Sequence, residues 1–241
     1  MLTVRLLLFL TSIFIIFISV TGENLKAQNV GIGVTAGFNT SSHLNNFRFV
    51  ADDINLDFTP NFNTGFNGGL IIRREINRGL RFQAEPSVII LGASYQENFT
   101  LRGFNIQSES KTDLIYGHLP LVIQLSTVPP ERTVYGRQFP ETTFHVSGGA
   151  FGGYLIDARF TGTNTGAPIG IAFQGDFTNN VTNQYTRYDA GLLVGAGFEH
   201  GVDNRFGIET RLLFSAINSG NAQFDFSPHN MAMTFALYYI F

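Results

Sequence analysis

Met231-Ala-Met-Thr-Phe-Ala-Leu-Tyr-Tyr-Ile-Phe241 decides how the whole chain is read. Its odd positions, Met231, Met233, Phe235, Leu237, Tyr239 and Phe241, are large and apolar. Its even positions include Ala232, Thr234, Ala236 and Tyr238. Successive side chains of an extended backbone point to opposite faces, so this is a strand with one greasy face and one small or polar face. Its length suits a tilted strand crossing a bilayer, which needs about 9–11 residues, better than the strands of about 5–6 residues common in soluble domains.

Working outward from this segment, the same period of two recurs. Strands are expected at about 29–38, 61–72, 80–92, 111–125, 143–156, 185–200, 205–216 and 230–241. In the sixth, Ala190, Leu192, Val194, Ala196 and Phe198 oppose Asp189, Gly191, Gly195, Gly197 and Glu199; in the seventh, Phe206, Ile208, Leu212 and Phe214 oppose Gly207, Glu209, Arg211 and Ser215. A soluble sandwich and an outer-membrane barrel share this alternation. Strand length, an even strand count that lets the sheet close, and connections that alternate long (39–60, 93–110, 157–184, 217–229) with short (73–79, 201–204) favour the barrel. The connection 126–142, with Pro129-Pro130, is long where a short turn is expected. The fold expected is therefore all-β: an eight-stranded antiparallel transmembrane β-barrel, an up-and-down meander with both termini periplasmic. The terminal aromatic resembles the signal read by the outer-membrane barrel assembly machinery.

Composition agrees. Charged residues are 14% of the 241, while Gly (26) and Phe (25) abound; soluble domains usually carry about 25% charge. The net charge of −3 favours neither nucleic acid nor a strongly charged partner. There is no Cys, which excludes disulfides and a lipoprotein anchor. Residues 1–27 read as a signal peptide: Arg5, then the apolar run Leu6 to Val20, then a cleavage point near Ala27-Gln28, with Leu25 a poor fit at −3. The run is short of the roughly 20 residues of a spanning helix; an N-terminal anchor is the alternative. Residues 28–241 then form one barrel domain.

Six segments in order, Gly31-Ile-Gly-Val-Thr-Ala-Gly-Phe38, Leu80-Arg-Phe-Gln-Ala-Glu-Pro86, Tyr116-Gly-His-Leu-Pro-Leu121, Gly148-Gly-Ala-Phe-Gly-Gly-Tyr-Leu155, Tyr188-Asp-Ala-Gly-Leu-Leu-Val-Gly-Ala-Gly-Phe198 and the final strand, resemble the Bacteroidota outer-membrane β-barrel family that includes PorT-like proteins. The resemblance covers nearly the whole mature chain and implies an eight-stranded barrel. PorT-like members are tied to type IX protein secretion, so it also implies secretion-system proteins as partners, although the shared motifs are family-wide.

An eight-stranded barrel is just wide enough for its own side chains. Arg73, Arg81, Glu85, His118, His145, Asp189, Glu199, Glu209 and Arg211 fall on inward positions and are expected to form a paired plug, with Glu85 beside Arg81 and Glu209 beside Arg211 on their strands. A narrow ion path is the rival. The sharper enzymatic alternative is His145-Val-Ser147, similar to the His/Ser pair of outer-membrane lipid A deacylases, with Glu199 as the orienting carboxylate. Both residues point inward, which argues against a lipid substrate. His43, His200 and His229 have no metal-ligand spacing. Gly31-x-Gly33 and Gly195-x-Gly197 lack a following helix and are not nucleotide loops; inward Gly makes room for large neighbours. Tyr116, Tyr154, Tyr188, Tyr238 and Tyr239 are candidates for an interfacial girdle, and Phe47, Phe49, Phe99 and Phe104 for loop packing or partner contact. No catalytic, cofactor or metal residue is expected. The reading is a non-enzymatic scaffold or interaction protein in outer-membrane lipid.

Overall fold

The computed structural model describes residues 30–51, 54–101, 104–128, 133–134, 137–167, 173–202, 204–221 and 227–241, with side chains placed for all of these except 47–51, 54–57, 101, 133–134 and 137–138. The expected signal peptide and its cleavage point, Pro129-Pro130, and the side chains of Phe47 and Phe49 lie outside what is described. Gly31–Phe241 is one compact unit.

The described residues form fourteen strands: β1 Val30–His43, β2 Phe47–Ala51, β3 Ile54–Phe58, β4 Asn61–Asn77, β5 Leu80–Ala84, β6 Ser87–Leu101, β7 Phe104–Ser126, β8 Thr133–Val134, β9 Arg137–Gln138, β10 Glu141–Gly166, β11 Phe173–Asn180, β12 Tyr188–Gly201, β13 Arg205–Ser215 and β14 Asn230–Ile240. The sheet closes. β10 pairs β12, and the order then runs β12–β13–β14–β1–β4, with β4 joined through β5 and β6 to β7, and β7 returning to β10. The last strand meets the first in antiparallel register, Gly33 opposite Ile240 and His43 opposite Asn230.

β5 and β6 act as one barrel strand. Pro86 has no N–H and interrupts the ladder, but its carbonyl accepts from Leu70 N–H (3.0 Å) and the Glu85 N–H reaches Pro120 O (3.0 Å), so pairing continues on both sides. The ring is thus eight-stranded and antiparallel, as the alternation predicts, with both ends of the strand meander at one rim. Gly92 in β6 has φ +148°, a region side chains avoid. A Cβ there would lie 1.8 Å from Thr112 O. The bare backbone lets the Ser41 hydroxyl donate to Gly92 O and accept from Gly92 N, each at 3.0 Å, tying β1 across to β6.

The outer face follows the expected pattern. Phe38, Phe62, Phe66, Leu70, Leu121, Ile123, Val146, Leu192, Val194, Phe214 and Leu237 all point outward and are exposed. Exposing such a belt to water would cost a soluble protein dearly, whereas contact with lipid accounts for all of it. Tyr154 and Tyr188 pack edge to face outside the rim away from the termini (5.6 Å), and Tyr239 and Phe241 do so at the termini rim (5.2 Å), as an aromatic girdle requires. Tyr116 and Tyr238 do not belong to it: both are buried inside the ring.

Several expected boundaries move. The segments 39–60, 93–110 and 157–184 are largely strand rather than loop, because β1, β6, β7 and β10 continue past the ring. β14, with 11 residues, spans about 28 Å at ~3.3 Å per residue and ~40° tilt, close to the lipid-facing height of a barrel. β10, with 26 residues, spans about twice that or more by the same geometry. A bulge between Leu155 and Asp157 marks where β10 leaves the ring. Beyond it β6, β7, β10 and β11 form a four-stranded blade, with rows such as Gln96–Glu109–Thr163–Asp176 in register. The strand expected from 185 begins at Tyr188, and Tyr185 makes only an isolated bridge to Gly220. Among the described residues of the connection 126–142, Thr133–Val134 pairs with Arg137–Gln138 as β8 and β9.

Candidate functional site

The interior has two zones, where alternation alone predicts one polar lining. In the half nearest the termini the inward positions carry the expected charges, except His118 and Asp189, which are buried near the opposite end of the ring. Farther from the termini they carry Ile89, Leu91, Leu114, Tyr116, Phe151, Leu155, Leu193, Leu213 and Ala232, a continuous apolar cluster.

In the charged half, Glu199 of β12 is 1% exposed and sits among three guanidiniums: Arg73 of β4 (2.7 Å), Arg81 of β5 (2.6 Å) and Arg205 of β13 (2.7 Å). Tyr238 of β14 donates its hydroxyl to the same carboxylate (3.1 Å), and Arg73 lies 5.3 Å from the centre of the Tyr238 ring. Arg73 Nε also donates to Gln83 Oε1 (2.9 Å), and Gln83 in turn donates to Glu85. Glu85 receives both terminal nitrogens of Arg211, at 2.6 Å each. Arg211 also reaches Glu209 (2.8 Å), which accepts from Ser147 Oγ (2.6 Å) and Gln124 Nε2 (3.4 Å). Seven of the ring's eight strands contribute, counting β5 and β6 as one. Four arginines (73, 81, 205, 211) face four glutamates (75, 85, 199, 209), so the network is close to charge-neutral. Such balance is what burial of charge demands.

Inward glycines make this cluster fit. A Cβ on Gly195 would lie 2.8 Å from Ser147 Oγ and 2.6 Å from the Arg211 side chain; one on Gly197 would lie 2.8 Å from His145 Nε2. The Gly195-x-Gly197 pair therefore leaves room for side chains from neighbouring strands.

The expected partners are partly rearranged. Glu209 and Arg211 do pair. Glu85 and Arg81 do not: Arg81 turns to Glu199 and Glu75, and Glu85 to Arg211. Cross-strand neighbours in a narrow ring lie nearer each other than positions four apart on one strand. The carboxylate beside His145 and Ser147 is Glu209, not Glu199. A nucleophilic serine needs the imidazole between itself and the acid. Here the acid stands between them: Ser147 donates to Glu209, and His145 Nε2 lies 3.6 Å from the other Glu209 oxygen. Gln83, Gln124 and Tyr238, the last expected in the girdle, join the network, as does Arg205, although the sequence reading did not assign them to the plug. The first three sit on the same inward alternation.

At the far mouth the 181–186 segment packs against the apolar cluster. Val181, Thr182 and Tyr185 are buried there. This stretch is pinned by Val181 N–H to Ala158 O (2.9 Å), Thr186 N–H to Ser219 O (2.8 Å) and Asn221 N–H to Gln184 O (2.8 Å). His43, expected in a loop, is the buried end of β1, with Nδ1 2.8 Å from Tyr95 Oη. His118 packs on Phe151 (4.9 Å). His200 pairs with Thr142 at the termini rim (2.9 Å), and His229 Nδ1 lies 3.4 Å from Ser215 O. Among the described residues no group of three His, Asp or Glu side chains gathers as a metal cluster would. Phe104 is exposed on the blade.

No curated protein sequence matches the chain at a significant level. Among solved structures, the chain is similar to Ail, the attachment invasion locus protein of Yersinia pestis, at 16% identity over 88% of this chain and 99% of that one, with a TM-score of 0.30. It is also similar to the N-terminal β-barrel domain of Pseudomonas aeruginosa OprF (13% identity, 88% and 99% covered, TM-score 0.29). The outer membrane protein OprG from the same species matches at 11% identity, with 89% and 97% covered and a TM-score of 0.36. The family model described as outer membrane protein beta-barrel domain matches residues 26–220. With a closed ring, an apolar belt and a match over most of its length, the chain belongs to the outer-membrane protein β-barrel domain family.

Proposed function

We propose that this barrel is a non-enzymatic membrane scaffold that holds its blade of β6, β7, β10 and β11 outside the cell for contact with a partner. The termini and the β8–β9 connection lie in the periplasm in this reading, and the belt rests in outer-membrane lipid after insertion by the barrel assembly machinery. The observation that carries it is the continuation of β10 and β7 in register well past bilayer height. Strands that long are not needed to span a membrane, and ordered pairing beyond it makes a rigid surface rather than a loose loop. The ion network at one end and the 181–186 segment at the other fill the lumen, which favours a scaffold over a solute channel. The resemblance to PorT-like proteins makes secretion-system proteins the first partners to look for.

The test is crosslinking in intact cells with the whole chain and with a version whose blade is shortened to the bulge at Leu155/Asp157. Proteins captured by the whole chain and lost from the shortened one, with both barrels folded in the outer membrane, support the reading. Equal capture by both contradicts it and moves attention to the β8–β9 connection.

A further inference from the structure

The four buried acids of the described interior are Glu85, Asp189, Glu199 and Glu209. Three are paired with arginine. Asp189, the second residue of β12, is not. It is 4% exposed, and its Oδ2 accepts only neutral donors, Ser215 Oγ (2.8 Å) and Asn230 Nδ2 (2.9 Å). Its Oδ1 has no hydrogen-bond partner, and neither has the Oδ1 of the adjoining Asn230, itself 2% exposed. Asn230 Nδ2 also donates to Ser219 Oγ (2.8 Å) and approaches Tyr116 Oη (3.4 Å). The Ala190 N–H and the neighbouring base His229, whose Nδ1 faces the Ser215 carbonyl at 3.4 Å, both favour the carboxylate, but neither forms an ion pair with it. Arg73, Arg81, Arg205 and Arg211 are engaged by glutamates at the opposite end of the lumen, and Arg187, two residues before Asp189, donates instead to the Leu155 carbonyl (3.3 Å).

We propose that Asp189 and Asn230, with Ser219 beside them, hold a small hard monovalent cation of the Na+ class inside the barrel, near the blade-side mouth. A buried carboxylate without an ion-pair partner is costly, and the orphan oxygens of Asp189 and Asn230 are oxygen donors of the kind hard cations take. Charge selects the valence. One carboxylate neutralises one positive charge. A divalent ion would remain half uncompensated in a buried place, and calcium usually recruits six to eight oxygens, often from several carboxylates. The ion would tie β12 to the start of β14 and the 215–219 segment, bracing the mouth from which the blade rises.

The experiment follows thermal melting of the folded full barrel in detergent, in NaCl and in choline chloride at equal ionic strength. A ligand that binds only the folded state raises the melting temperature with its concentration. Na+ is expected to raise it by several degrees, saturably, over choline, and Asp189→Asn is expected to abolish that difference. Ser219→Ala is expected to fold and to need more Na+ for the same shift. Identical melting of the parent barrel in the two salts, or an unchanged Na+ response in Asp189→Asn, overturns the site. A response to CaCl2 with none to NaCl overturns the monovalent assignment.

Discussion

Replacing Glu199 by Gln probes the network at its most connected point. The carboxylate is 1% exposed and is shared by Arg73, Arg81 and Arg205 at 2.6–2.7 Å, with Tyr238 donating at 3.1 Å. Gln keeps the size and one acceptor oxygen but removes the charge. Arg205 turns toward water at the rim and still has Glu75 at 3.5 Å. Arg81 keeps a longer contact to Glu75 (3.3 Å), and Arg73 keeps Gln83 and the Tyr238 ring. Two buried guanidiniums thus lose their main counter-charge, and breaking a buried pair from one side costs about 3–5 kcal/mol. The assay is urea unfolding of the barrel in lipid vesicles, followed by its β signal and by heat-dependent gel migration. Glu199→Gln is expected to fold and to lose stability by about 3 kcal/mol or more. Adding Arg73→Met to it should recover part of that loss, because one unpaired cation goes with it. A loss below about 0.5 kcal/mol, typical of an exposed pair, would refute a dry, coupled network and mean that water solvates these arginines.

Other expectations follow from the same arrangement. Leu192→Arg, which puts a charge on the middle of the outward belt, should cost about 2–4 kcal/mol in vesicles, read by the same unfolding assay, whereas Phe144→Arg near the termini rim should cost less. Gly92→Ala forces a side chain into a positive-φ position against Thr112 O and should lower stability by about 1–3 kcal/mol, with the two hydrogen bonds exchanged with the Ser41 hydroxyl lost. Cells carrying Ser147→Ala should show lipid A of unchanged mass by mass spectrometry; a mass change that depends on Ser147 would reinstate the lipid-modifying reading that the Ser147–Glu209 hydrogen bond argues against.

Much of the fold is written in the period of two. It places Leu192, Val194 and Leu237 outside and Glu199, Glu209 and Arg211 inside, because lipid and lumen differ sharply in polarity. It does not mark where the lumen turns apolar. There, runs such as Val88-Ile-Ile-Leu91, Leu192-Leu-Val194 and Leu212-Leu-Phe214 are greasy on both faces, and these unbroken runs are the signal that the interior is filled by Ile89, Leu91, Leu193 and Leu213. The alternation ends too early, at 38, 92 and 156, because the blade's Thr, Asn, Gln and Gly sequence, such as Thr161-Gly-Thr-Asn-Thr-Gly166, looks like loop. It is two-sided in water and has no belt to announce it. Partner choice within the network depends on cross-strand register, which single strands do not carry: nothing in β5 alone says that Glu85 will meet Arg211 rather than Arg81.

The absence of native cysteine permits one direct measurement. Single cysteines at Gln174 on the blade, Leu192 on the belt and Asn204 in the β12–β13 turn are labelled in intact cells with a membrane-impermeant maleimide, then again after the outer membrane is permeabilised. The account predicts that Gln174→Cys reacts in intact cells, Asn204→Cys only after permeabilisation, and Leu192→Cys in neither case. Labelling of Leu192→Cys in both conditions, or of Asn204→Cys but not Gln174→Cys in intact cells, would contradict a membrane barrel that carries its blade on the outside.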